Sequence, residues 1–292
     1  MATNKNIPGI IPVANSMSEF GMEWDASLMP IAPDYTAIEA SIYECITVGC
    51  SSIWVVANDD TAPLIRHRIG EIATDITSVV DGRFGKYPSD NHVDVPIYYV
   101  PIHPKHMKKL DCYSWSVVWG AHVAYSIMKK FSRWTIPEKY YVSFPLGVFD
   151  YHELLAKRKH IVNNPLTYLS YEGKTIRDGV PISFLFSFDE WKIARDKILK
   201  NSNWYMFDPD APEGTVPLKP RPPEERWESL RYSLKDVFEN LPDGDVVEVS
   251  EYYDLTTWDE YRRLLSSDLA DRLRRPSSKV MYKKERKLLD NE

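Results

Sequence analysis

The side chains most able to do chemistry sit in a few short polar stretches. Residues 102–113 carry Lys105, Lys108 and Lys109, a cluster able to face a phosphate and equally able to lie in solvent. The same stretch holds His103 and His106 at i, i+3 near Cys112, which is an incomplete set for zinc. Residues 15–25 include Glu19, Glu23 and Asp25, acids that repel a phosphate. Asp59 and Asp60 follow an apolar run and suit an ion or a helix start. Asp150 and Asp254 each precede a helical stretch, so each can be a cap or turn residue or can hold an ion. Magnesium takes few carboxylates and completes its shell with phosphate oxygens and water, so two Asp on separate strand ends would serve. No Ser lies in a Gly-x-Ser-x-Gly turn and no Cys has a recognisable activating neighbour, which argues against nucleophilic catalysis.

Alternating strands and helices must position these residues. GIIPVA, residues 9–14, is a short apolar run bounded by turn residues and predicts a buried strand. Residues 15–25 have no clear period and predict a loop. Helical spacing predicts a helix over 37–47, stopped by Gly49. IWVVA, 53–57, predicts a second strand, and 61–73 a second helix. Strand and helix in alternation, with nearly continuous apolar strands, predict a mostly parallel sheet with crossover helices. A third strand is expected over 96–101, a long helix over 114–131 and a fourth strand over 140–145. Strands over 166–171 and 181–188 follow, with antiparallel pairing open. Then come a helix over 189–200, with Asp189 placed to cap it, and a Pro-rich connector over 208–223. A helix over 227–241, a strand over 246–249 and a closing helix over 258–274 complete the order. In open sheets of this kind ligands gather at the carboxyl ends of the strands, which selects the loops 15–25, 57–61, 102–113, 146–151 and 252–257.

Composition sets the class. The 292 residues suit one α/β domain, taken as residues 1–275, followed by a basic tail, 276–292. A formal net charge of −6 argues against a nucleic-acid partner, which needs clustered Lys and Arg. The basic stretch 272–287 is the exception and reads as a solvated tail or a binding arm. Three cysteines without Cys-x-x-Cys spacing fit a reducing compartment. No apolar run reaches the ~18 residues of a membrane span, and residues 1–8 lack the apolar core of a signal peptide. Together these point to the cytoplasm, with no membrane partner. Aromatics make up 13% of the chain, and rings favour cores and interfaces, which leaves an oligomer open.

The segment IIPVANSMSEFGMEWDASLMPI, residues 10–31, resembles the opening of the sugar-1-phosphate nucleotidyltransferases, the sugar-nucleotide pyrophosphorylases. There a strand leads into a Gly-rich loop, an Arg, a Pro-Lys and a Leu-x-Pro-Ile segment. IWVVAND resembles the family's second strand, and WGAHVAYSI, 119–127, its nucleotide-side Gly-x-Ala helix. FPLGVFD, 144–150, resembles the strand whose acidic end binds magnesium. EYYDLTTWDEY, 251–261, resembles the closing Asp-x-x-Thr-x-x-Asp segment with its second metal ligand. LKPRPPEE, 218–225, resembles the Glu-Lys-Pro segment whose Lys touches the sugar phosphate, although a Pro-rich surface connector would read the same. The shared order of these pieces, over roughly 10–265, carries the likeness.

The resemblance implies a three-layer, GT-A-like (Rossmann-like) nucleotidyltransferase fold around a mostly parallel central sheet. It implies a nucleotide and a sugar phosphate as ligands, and Mg2+ held by Asp150 and Asp254. It assigns substrate contacts to Ala14, Asn15, Ser16 and Gly21 in the phosphate loop and to Asn58, Gly120 and Ala121 beside the nucleotide, and makes Lys219 the catalytic cation. The family's paired glycines are here Asn15 and Met17, its loop Arg has no counterpart, and its Pro-Lys falls at Asp25 and Ala26. Three functions follow: a nucleotidyltransferase forming a nucleotide sugar with release of pyrophosphate, a glycosyltransferase using a nucleotide sugar, or a binding or structural protein that keeps the fold without catalysis.

Overall fold

A computed structural model describes residues 6–14, 18–22, 24–75, 94–102, 112–131, 136–225 and 232–276. Strand β1 (Pro8–Pro12) is buried along its whole length. A short antiparallel pair, β2 (Pro30–Ala32) and β3 (Tyr35–Thr36), leads into helix α1 (Ala37–Val48). Thr36 and Glu39 close a capping box at its start. Gly49 ends it at φ 102°, a left-handed conformation that costs a glycine nothing, with its N–H turned to the carbonyls of Cys45 and Ile46. Strand β4 (Ser52–Ala57) is again wholly buried, and α2 (Ala62–Ile69), β5 (Ile72–Thr74) and β6 (Asp94–Pro101) follow. Next come α3 (Tyr113–Phe131), β7 (Lys139–Val142), β8 (Gly147–Val148), α4 (Glu153–Asn163), β9 (Thr167–Ser170), β10 (Phe184–Ser187) and α5 (Phe188–Ser202). The chain continues through β11 (Tyr205–Phe207), β12 (Leu218–Pro220), α6 (Leu234–Phe238), β13 (Asp245–Glu248), β14 (Tyr253–Asp254), α7 (Trp258–Leu265) and α8 (Asp268–Arg272).

Eight strands form one sheet in the order β13-β9-β10-β7-β1-β4-β6-β5. All but β10 and β5 run the same way, so the sheet is mostly parallel as expected, and β9 meets β10 antiparallel. Alternation along the strands feeds two cores. Ile10, Trp54 and Val56 pack with Val117, Ala121 and Trp191 of α3 and α5, whereas Ile11, Ile53 and Val55 pack with Ile38, Ile42 and Leu154 of α1 and α4. Helices on both faces make three layers. Since β1 lies between β7 and β4, the loop that leaves it opens at the middle of the sheet's carboxyl edge.

Several boundaries differ from the sequence reading. The second helix stops at Ile69 because Gly70 takes φ 86°, and residues 72–74 form an edge strand instead of a further helical turn. The Pro-rich connector contains β12, which pairs with β11; Pro220 costs little in a two-stranded ribbon. The closing helix breaks at Ser266 and Ser267, whose hydroxyls bond back to the carbonyls of Arg262 and Leu264. Of the helix expected over 227–241, the described part is α6, with residues 226–231 outside the described set. The start of the basic stretch is tied down: Arg272 reaches Glu251 at 3.1 Å and Arg275 reaches buried Glu39 at 3.2 Å. Residues 277–292 lie outside the described set. Among the described residues no helix is long and apolar enough to cross a membrane.

One carboxyl is sealed beneath the sheet. Glu44 of α1 accepts from the hydroxyls of Tyr141 and Ser143, each at 2.6 Å. Burial pushes its pKa up to about 7, against the opposing pull of hydrogen bonds from Ser143, Ser183 and Tyr141.

Candidate functional site at the carboxyl edge of the sheet

Beyond β1 the chain stays close to β4: the N–H groups of Val13 and Ala14 both donate to the carbonyl of Val56 at 2.9 Å. Ser116 of α3 donates to the carbonyl of Ala14 at 3.1 Å, fixing where the loop departs. The loop then crosses to the far end of the chain. Glu19 N–H donates to the carbonyl of Thr256 at 2.9 Å, and Phe20 is buried edge-on against Trp258, with ring centroids 4.5 Å apart. Residues near the two ends of the sequence therefore close one edge of the same site. Neither Phe20 nor Trp258 stood out in the sequence, although an aromatic in a polar loop is a signal that it packs on something.

Two carboxyls line this edge. Asp25 accepts from Ser27 N–H at 2.8 Å and caps a single 3-10 turn, Ala26–Leu28. Asp254 accepts from Thr256 N–H at 3.2 Å. Burial raises the pKa of both, above all other causes, with Asp60 adding repulsion at Asp25. Burial also raises the phenol of Tyr113, the first residue of α3, with further contributions from the charges of Asp25 and Asp254. The Tyr113 hydroxyl is enclosed and has no hydrogen-bond partner among the described residues. Asn58, just beyond β4, likewise has an enclosed Oδ1 without a partner, while its backbone carbonyl takes the N–H of Ala62 at 2.8 Å. The edge thus presents acceptors.

The other expected residues are placed as follows. Ala14 is buried at the loop's start, and Gly21 is exposed with open space around it. Asn15, Ser16, His103, Lys105, His106, Lys108 and Lys109 lie outside the described residues. Gly120 and Ala121 face the sheet: a Cβ on Gly120 would stand 2.6 Å from Val56 Cγ2 and 2.7 Å from Ile10 Cγ2, so this glycine lets helix and sheet approach. Asp150 accepts from His152 Nδ1 at 2.9 Å and lies 3.9 Å from Arg272 Nε. The His152 bond, first among its causes, holds the Asp150 carboxyl below its ordinary range. Asp254 pairs in register with Gly147 across β14 and β8, yet among the described residues the two Asp share no hydrogen-bond or ion-pair partner. Lys219 sits on the β11–β12 ribbon, apart from the large sheet, and pairs with Asp208 at 3.3 Å. Among the described residues no group of three or more His, Cys, Asp or Glu converges as a metal set.

No protein-family model and no curated protein matches the sequence. Solved structures do resemble the fold. A Bacillus anthracis protein assigned as a glucose-1-phosphate thymidylyltransferase, in complex with a sucrose, is similar at TM-score 0.56 and 9% identity over 93% of this chain and 97% of that one. An apo UDP-glucose pyrophosphorylase is similar at TM-score 0.53 and 10% identity, covering 92% of this chain and 100% of that one. A UDP-glucose pyrophosphorylase complexed with UDP-glucose gives TM-score 0.50 at 9% identity, over 89% and 97%. Identities this low show the architecture alone. The chain therefore has the three-layer, mostly parallel α/β fold of the sugar-nucleotide pyrophosphorylases over nearly its whole length.

Proposed function

We propose that this chain is a nucleotidyltransferase that joins a sugar phosphate to a nucleoside triphosphate, forming a nucleotide sugar and pyrophosphate. The observation that carries the reading is the joining of the loop after β1 to the Asp254 segment by the Glu19–Thr256 bond, at the carboxyl edge where such sheets bind ligands. In the reaction a phosphate oxygen of the sugar phosphate attacks the α-phosphorus in line. The bond to the bridging oxygen of the β-phosphate breaks, and pyrophosphate leaves.

The chain's own contribution is positioning. In this reading the backbone from Ala14 through Asn15 and Ser16 to Gly21 holds phosphate, and Asn58 contacts the nucleoside, with Gly120 and Ala121 behind it. Lys219 would meet the sugar phosphate by exchanging its Asp208 partner. Magnesium suits Asp254, whose carboxyl is held by the backbone N–H of Thr256, since acid plus phosphate oxygens is its preferred donor set. Asp150 fits less well, since one oxygen already takes the His152 ring nitrogen and the Arg272 guanidinium stands 3.9 Å from the other. When bound, the ion would offset phosphate charge. The Asp25 carboxyl favours ligands poorer in negative charge, and so keeps a nucleotide-sugar-dependent glycosyltransferase as the second reading.

Thermal melting with nucleoside triphosphates and with nucleotide sugars, each with and without magnesium, tests the proposal. Binding to the folded state alone raises stability by about 2.7 kcal/mol at a hundred times the dissociation constant. Stabilisation by a triphosphate is expected. Stabilisation by nucleotide sugars alone selects the glycosyltransferase, and no shift at millimolar concentrations of any nucleotide refutes both.

A further inference from the structure

Asp150 already has a cation beside it, and the chain supplies it. The β8–β14 pair sets Tyr253 against Val148, so Glu251, two residues before Tyr253, and Asp150, two after Val148, leave the ladder at the same end. One guanidinium serves both acids: Arg272 Nη2 lies 3.1 Å from Glu251 Oε1, and its Nε lies 3.9 Å from Asp150 Oδ2. The other Asp150 oxygen, Oδ1, accepts from the backbone N–H of His152 at 3.1 Å and meets its ring Nδ1 at 2.9 Å. Both oxygens of this carboxylate therefore face a partner from the protein.

The segment around Arg272 holds it there. Leu269 and Leu273 are fully buried and, at i, i+4, share one face. Three residues beyond Arg272, Arg275 Nε lies 3.2 Å from the buried Glu39, whose other oxygen takes the N–H and hydroxyl of Thr36 at 2.9 Å each. Arg272 is thus fixed from both sides along the chain. A guanidinium and a divalent ion compete for the same carboxylate oxygens. Magnesium gives up its water reluctantly, whereas a guanidinium is weakly hydrated and its planar fork suits two oxygens. We infer that Arg272 is the resident cation of Asp150: the C-terminal segment closes this end of the carboxyl edge and keeps a metal ion off Asp150 and Glu251. A metal ion bound at the edge then relies on Asp254. This pairing is independent of the reaction that the edge performs.

Manganese, which shares magnesium's preference for oxygen ligands, tests it in a titration followed by electron paramagnetic resonance, with no substrate present. The proteins are the wild-type chain, Asp150→Asn, Arg272→Ala, Arg272→Lys and the double variant Arg272→Ala with Asp150→Asn, with far-ultraviolet circular dichroism as the check on folding. Wild type and Asp150→Asn are expected to bind manganese alike, within twofold. Arg272→Ala should bind it at least tenfold more tightly than wild type, the double variant should lose that gain, and Arg272→Lys, which keeps the charge, should stay close to wild type. Weaker binding in Asp150→Asn, no gain in Arg272→Ala, a gain that survives in the double variant, or an equal gain in Arg272→Lys would each overturn the inference. Should Arg272→Ala not fold, wild type against Asp150→Asn decides alone: equal titrations support Arg272 as the cation, and a loss in Asp150→Asn makes Asp150 a metal ligand. No substrate enters, so a failure of the nucleotidyltransferase reading leaves these outcomes unchanged.

Discussion

Glu44 shows what enclosure does to a carboxyl here. Its pKa rises from 4.5 to about 7, with burial as the main cause. Between those values the folded chain keeps a proton that the unfolded chain gives up. The stabilisation is therefore fully present below about pH 4.5 and is lost as pH rises through about 7. The full effect is on the order of 3 kcal/mol. Melting temperature should fall between pH 5 and pH 8, and Glu44→Gln, which keeps an acceptor for Tyr141 and Ser143, should flatten that fall. An identical pH slope in both proteins would show that Glu44 does not titrate in this range. At this scale the site was legible in part. Asp254 could be picked out from its segment in EYYDLTTWDEY, since the acid lies just where a strand gives way to a helix. Tyr113 could not, because the lack of a hydrogen-bond partner arises only when α3 packs against segments distant in sequence. Asp25 read as a charge hostile to phosphate, and the structure uses it to cap the 3-10 turn Ala26–Leu28.

Elements were more legible than residues, for a physical reason. Buried parallel strands need continuous apolar runs, so GIIPVA and IWVVA announced β1 and β4. The β11–β12 ribbon was hidden because its pairing overrides the Pro-rich composition around it. Gly120 was read as a nucleotide contact from its place in WGAHVAYSI, and the fold gives it contacts with Ile10 and Val56. Gly120→Val should push α3 off the sheet, because even the first added carbon would stand 2.6 Å from Val56 Cγ2. Overpacking of this kind costs about 1–3 kcal/mol, measurable by urea denaturation. A variant as stable as wild type would mean that α3 can shift without loss, and that the close approach is incidental.

For the molecule as a whole, the alternation of strands and helices was enough to foresee a mostly parallel sheet with β1 inside it. What the alternation did not carry was the closing of the edge by the chain's C-terminal third, through Thr256 and Trp258, because contacts so far apart in sequence leave no local pattern. The start of the basic stretch looked like a solvated tail or a binding arm, and Arg272 and Arg275 instead hold it to Glu251 and Glu39.

The central claim is that this carboxyl edge transfers a nucleotidyl group. Pyrophosphate release tests it most directly, measured over the common nucleoside triphosphates and sugar phosphates with magnesium, for the wild-type chain, Asp254→Asn and Lys219→Ala. The account predicts release that requires both substrates and falls by at least a hundredfold in Asp254→Asn, a loss of about 2.7 kcal/mol of transition-state stabilisation. No release from any substrate pair, or release undiminished in Asp254→Asn, would contradict it.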